Sequence, residues 1–115
     1  MKKKIRRSNI KKITKECRIL KFMRESRGLS MRKAAKIIGT SGATINHLEN
    51  GRMDLTDRWI FKVVSGYGYK YEDFQDYLEN RARLPDETLK DCITLLNNFS
   101  PEKIRAVYII LKNLK

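Results

Sequence analysis

Residues Leu29–Arg52 read LSMRKAAKIIGTSGATINHLENGR, and the order of small, apolar and capping residues in this stretch decides the fold. Ser30 is an N-cap residue for a short helix in which Ala34, Ala35 and Ile38 face inward, and Gly39 supplies its stop and a tight turn. Ser41 caps the next helix, Ile45 and Leu48 fall on its buried side, and Asn50-Gly51 ends it. Ala35 is small enough to let the two helices cross closely. The spacing predicts a rigid helix pair joined by a short turn. One helix can lie across a DNA backbone while the other, from about Ser41 to Asn50, offers its solvent-facing side to the major groove. Plain helical bundles use the same turn, so spacing alone leaves both readings open.

Outward from this pair the periodicity stays helical. Ile13, Cys17, Leu20 and Met23 recur at three- and four-residue steps and predict a first helix, stopped by Gly28. Thr56 or Asp57 caps a fourth helix with Ile60, Val63, Val64 and Tyr67 inward, and a fifth, about Tyr71 to Asn80, buries Phe74, Tyr77 and Leu78. Arg81 to Pro85 reads as a hinge, because the residue before a proline is driven out of helical geometry. Beyond it lie a helix over about Asp86–Asn98 with Leu89, Cys92, Ile93 and Leu96 on one side, and a last helix opened by Ser100-Pro101-Glu102. No segment alternates with period two, so the expected class is all-α: five helices over residues 13–80, a two-helix extension over 81–115, and a basic flexible arm over 1–12.

Charge points the same way. The chain of 115 residues has a formal net charge of +13, and residues 1–27 alone carry 12 basic and 2 acidic side chains. A terminal basic block is the footprint of a polyanion binder, since neutralised phosphates release their counterions. No apolar run reaches the ~18 residues of a membrane span, and a soluble, cytoplasmic protein is expected. Cys17 and Cys92 lack metal-ligand spacing and read as buried thiols, while the single His47 excludes a histidine-rich metal site. There is no nucleophile motif and no glycine-rich phosphate loop, so neither an enzyme nor a cofactor is expected.

The run Arg24…Gly28-Leu29-Ser30…Ala35…Gly39…Ser41…Ile45…Leu48-Glu49-Asn50-Gly51 resembles the Cro and phage-repressor type of helix-turn-helix, the XRE family, and Ile60, Val63, Gly68 and Phe74 keep step with its fourth and fifth helices. The resemblance covers about residues 16–78. It implies a prokaryotic or phage regulator whose five-helix domain binds operator DNA as a dimer, without metal or nucleotide. It also implies that Gly42, Ala43, Asn46 and His47 face base edges, that Thr44 and Asn50 touch phosphate, and that Arg24 and Glu49 form an internal salt bridge. Ser41, Arg52, Arg32 and Lys33 complete the expected backbone contacts. Two positions depart from the family pattern. Met31 stands where many members have a glutamine that braces the recognition helix, and Gly42 and Ala43 stand where long polar side chains often reach bases. Direct readout then falls on Asn46, which can pair with adenine, and on His47, while Ala43 can meet a thymine methyl. Lys2, Lys3, Lys4, Arg6 and Arg7 of the arm are expected along the backbone or in a narrow minor groove.

One recognition helix reads only a few base pairs, and a dimer spans two half-sites about 34 Å apart. Ile104, Val107, Tyr108, Leu111 and Leu114 of the last helix, with Ile109 and Ile110 beside them, give more apolar surface than one helical neighbour covers, and are the expected homodimer interface. The leading expectation is a repressor of double-stranded operator DNA. The alternative is an antitoxin or operon controller whose C-terminal helices hold a protein partner. An RNA-binding module is disfavoured, because no aromatic stacking platform is present.

Overall fold

The computed structural model describes residues 6–114, and within them every regular element is helical. The α-helices are α1 (Lys15–Ser26), α2 (Met31–Ile38), α3 (Gly42–Glu49), α4 (Asp57–Gly66), α5 (Tyr71–Leu78), α6 (Pro85–Asn97) and α7 (Pro101–Lys112), preceded by a 3-10 turn at Arg7–Asn9. The chain divides into two compact units, one ending at Ala82 and one beginning at Arg83.

Capping chemistry explains where the helices start. The hydroxyls of Thr14, Ser30, Ser41, Thr56 and Ser100 accept hydrogen bonds from the main-chain N–H of Cys17, Lys33, Thr44, Trp59 and Lys103, respectively, satisfying donors that the first turn leaves unpaired. Gly39, at φ +83°, closes α2 in the left-handed region that a side chain disfavours, and its N–H and that of Thr40 both return to the Ala35 carbonyl.

In the first unit α1 is the central element, packed against α3, α4 and α5, while α2 lies against α3 and α4. Ile19, Leu20, Met23, Ala34, Ile45, Leu48, Val63 and Val64 lose all solvent contact, and Phe74 nearly all. This differs from the sequence expectation at α1. Ile13 lies before the Thr14 cap and is 48% exposed, whereas Ile19, outside the expected stripe, is fully buried. A helix with three neighbours buries more than one face. Tyr77 and Leu78, expected inside, are only half-buried, with Tyr77 edge-on to Phe22 at 5.4 Å between ring centroids.

In the second unit no residue of α6 or α7 is buried, and Leu89, Ile93, Tyr108, Ile110 and Leu111 are exposed. Cys92, expected as a buried thiol, is exposed, and only Cys17 is buried. The apolar stripe of α6, which suggested a core position for Cys92, is uncovered within its own unit. Leu84, inside the expected hinge, is buried.

Candidate nucleic-acid interface

The geometry of the α2–α3 pair follows from what holds α3 from behind. Ile45 and Leu48 are the hydrophobic anchors, and Glu49 adds an ionic one. Arg24 Nε donates to Glu49 Oε2 at 2.7 Å and its terminal nitrogen to Oε1 at 3.1 Å, a two-pronged bond between α1 and the last turn of α3. The third nitrogen of Arg24 donates to the Leu29 carbonyl at 2.7 Å and so ties down the segment entering α2. Both side chains are buried, Arg24 to 8% and Glu49 to 3% exposure. The hydrogen bond to Glu49 raises the Arg24 pKa against the opposing effect of burial, so the guanidinium stays charged. Beneath them the Tyr67 phenol is driven well above its usual range, chiefly by burial and then by the Glu49 charge. Its hydroxyl has no hydrogen-bond partner among the described residues.

The opposite side of α3 is open. Ala43 and Asn46 are exposed, with Gly42, Thr44 and His47 partly so. Ser41 is exposed at the helix start, its hydroxyl 3.0 Å from that of Thr44, and Arg32 and Lys33 are exposed on α2. A short, mostly polar surface therefore projects from a helix whose back is locked. His47 is less free than expected of a base reader, since its Nδ1 is buried and carries no hydrogen bond to a described residue.

Three expected DNA contacts are engaged elsewhere. Asn50 donates through Nδ2 to the Asn46 carbonyl oxygen and to Asn46 Oδ1. Arg52 donates to the Ser8 carbonyl at 3.0 Å. Arg7 pairs through Nε with Asp54 Oδ1 at 2.8 Å, and its terminal nitrogen reaches the carbonyls of Ile10 and Gly51. The last two bonds belong to a larger feature. Residues 6–12, expected as part of a flexible arm, form a strap over the loop that follows α3, closed by the Lys12 N–H on the Gly51 carbonyl at 2.8 Å. Gly51, at φ +69°, lies so close beneath the strap that a Cβ there would stand 2.0 Å from the Lys12 carbonyl oxygen. Arg6 is exposed at the start of the strap, and the expected arm residues Lys2, Lys3 and Lys4 lie outside the described residues.

Sequence reasoning missed Asp54 and the part Gly51 plays in this docking. It also passed over Arg58 and Lys62, exposed basic groups of α4, where Lys62 Nζ stands 5.4 Å from the centre of the Trp59 ring. The signal available for these two was one of position: both follow the Thr56 cap on a helix whose other face is core. No helix among the described residues is long and apolar enough to cross a membrane.

Comparison with known proteins agrees with the geometry. Residues 20–74, the span from α1 through the first half of α5, match the family model described as helix-turn-helix. No curated protein and no solved structure matches the chain.

Proposed function

From the premise that residues 20–74 form a helix-turn-helix domain of the Cro and phage-repressor type, in a family of DNA-binding transcription regulators rather than of enzymes, we propose that the chain is a homodimeric repressor of a two-fold related operator in the control region of its own operon. The observation that carries this reading is the contrast across α3. Its back is fixed by Ile45, Leu48 and the Arg24–Glu49 bond, while Ala43 and Asn46 are exposed in front. Such a helix enters the major groove without reorganising.

In this reading Asn46 is the principal base reader, with Ala43 and Gly42 allowing close approach and His47 at the edge of the contact. Ser41, Thr44, Arg32 and Lys33 hold phosphates, and so position the helix without reading sequence. Arg7, Arg52 and Asn50 serve the protein's own structure, and the basic residues before the strap add charge.

The second copy is held by α6 and α7. Nine large apolar side chains between Leu89 and Leu114 are 43–67% exposed. A broad exposed apolar surface of this kind marks a subunit interface. Residues 84–115 have a net charge of only +1, so two copies meet there without the repulsion of their basic ends.

Footprinting on the DNA upstream of the chain's own gene tests the proposal. Two protected half-sites one helical turn apart are expected, together with lower expression of a reporter placed behind them. Sedimentation at micromolar concentration should give a dimer, and a monomer both free and on DNA would refute the symmetric model. The same exposed helices favour one other reading, in which they neutralise a protein partner such as a toxin. A monomeric chain bound one-to-one by the product of a neighbouring gene would establish it instead.

A further inference from the structure

The last turn of α3 contains a hydrogen-bond relay whose direction is set by the main chain. Asn50 Nδ2 stands 2.9 Å from the Asn46 carbonyl oxygen and 3.0 Å from Asn46 Oδ1. A carbonyl oxygen only accepts, so the Asn50 atom that meets it must be the amino nitrogen. The Asn46 atom facing that same nitrogen must then be an acceptor, because two amino groups would oppose donor to donor. The main-chain carbonyl thus fixes the Asn50 amide, and the Asn50 amide fixes that of Asn46. Asn46 Nδ2 is left with no hydrogen bond to any described residue, on an exposed side chain at the front of the helix.

A free exposed asparagine has two orientations of similar energy, one leading with its donor and the other with its acceptor. Here one orientation is favoured before DNA arrives. We infer that Asn50 is a specificity-determining positioning residue: by holding Asn46 Oδ1 it makes Asn46 present its amino group to an acceptor on a base edge, a purine N7 in the major groove. This rests on the proposed role of Asn46 as base reader. The second lone pair of Oδ1 stays open, so an adenine that offers N7 together with its N6 amino group is the best-matched base. Cytosine, which offers a donor there, is the worst matched.

The test is selection of the full-length protein on a library of double-stranded DNA with randomised half-sites, at several salt concentrations, for the wild type and for Asn46→Ala, Asn50→Ala and Asn50→Asp. The wild type is expected to prefer a purine at one base pair of each half-site, and Asn46→Ala to lose that preference. Asn50→Ala should weaken discrimination at the same base pair about fivefold, the worth of one neutral hydrogen bond, with the salt dependence unchanged. Asn50→Asp replaces the donor by a carboxylate that both Asn46 oxygens repel, so the side chain swings away and releases the Asn46 amide. It should weaken discrimination at the same base pair at least as much as Asn50→Ala, with binding to all sequences lowered further by the added negative charge. A loss of helix packing would weaken binding to all sequences alike and leave the preference at that base pair intact. If Asn46→Ala erases the preference while both Asn50 variants keep it, the relay is refuted and Asn46 remains the reader. If Asn46→Ala changes no preference, the role of Asn46 fails and the relay fails with it.

Discussion

Replacing Gly51 by alanine separates two costs that a glycine can hide. At φ +69° a Cβ brings left-handed strain of about 1–2 kcal/mol wherever it occurs. Gly39, at φ +83° with nothing within 4 Å of its added Cβ, would bear that cost alone and is the control. At Gly51 the new carbon also meets the Lys12 carbonyl oxygen at 2.0 Å, its carbon at 2.2 Å and the Ile13 nitrogen at 2.6 Å. All three are main-chain atoms, so no side-chain rotation makes room and the strap must lift. Lifting breaks the Lys12–Gly51 and Arg52–Ser8 bonds and draws Arg7 away from Gly51 and Asp54. Three hydrogen bonds of about 0.5–1.5 kcal/mol each and a surface ion pair of about 0–1 kcal/mol disappear. Chain freedom regained by residues 6–12 offsets part of this. The expected excess of Gly51→Ala over Gly39→Ala is about 1–2 kcal/mol, or about 4–15 °C in Tm for a domain of this size. Fluorescence of Trp59, the single tryptophan, reads the melting of the first unit alone. Hydrogen exchange at the Lys12 amide should accelerate in Gly51→Ala and not in Gly39→Ala. Equal costs for the two variants, with Lys12 exchanging freely in the wild type, would mean that the strap is undocked in solution and that Arg7 is available to DNA.

Further expectations concern the locked side of α3 and the basic end. Arg24→Met leaves Glu49 buried without its partner and should cost about 3–5 kcal/mol in urea unfolding, whereas Arg24→Met combined with Glu49→Leu should recover most of the loss; a double variant no more stable than the single one would show that the pair has no such role. Tyr67→Phe removes a buried hydroxyl without a partner and should raise stability by about 1 kcal/mol at neutral pH. Because burial lifts the Tyr67 pKa in the folded state above its ordinary 10.0, the unfolded chain releases that proton first, and stability present below pH 10 is lost as pH rises beyond it. Tyr67→Phe should show a shallower alkaline decline, and identical pH profiles would contradict the assignment. Deleting residues 1–5 removes three lysines but keeps the strap, so the salt dependence of DNA binding should flatten by about 0.9 in logarithmic slope for each phosphate that those lysines neutralise, with the melting temperature held. Deleting residues 1–12 should lower both.

The legible parts of the fold are those written in local chemistry. Thr56, Ser30, Ser41 and Ser100 announce their helices because a hydroxyl three residues before an unpaired N–H is a short-range signal, and Gly39 announces its turn for the same reason. The Arg24–Glu49 bond spans 25 residues and came from family pattern, not from spacing. The strap had neither kind of signal. Arg7 and Asp54 are 47 residues apart, and a run rich in lysine and arginine reads as solvated tail unless its carboxylate and carbonyl partners are known. The engagement of Asn50 was hidden differently: it lies one helical turn from Asn46, but nothing in the sequence says whether a terminal asparagine turns back to its own helix or outward to a phosphate. In α6 and α7 the stripe was legible and its burial was not, since periodicity tells which face is apolar and not what covers it.

Gly42 occupies the first position of α3, and a side chain built there meets nothing within 4 Å. Ala43 beside it is exposed. Lengthening either residue therefore leaves the core and the Arg24–Glu49 bond undisturbed. If α3 reads bases as proposed, Gln, Arg or Asn at position 42 or 43 would add a contact from a backbone already rigid enough to aim it. The sparse front of this helix would in that sense be unused coding capacity, with few letters engaged and room for more.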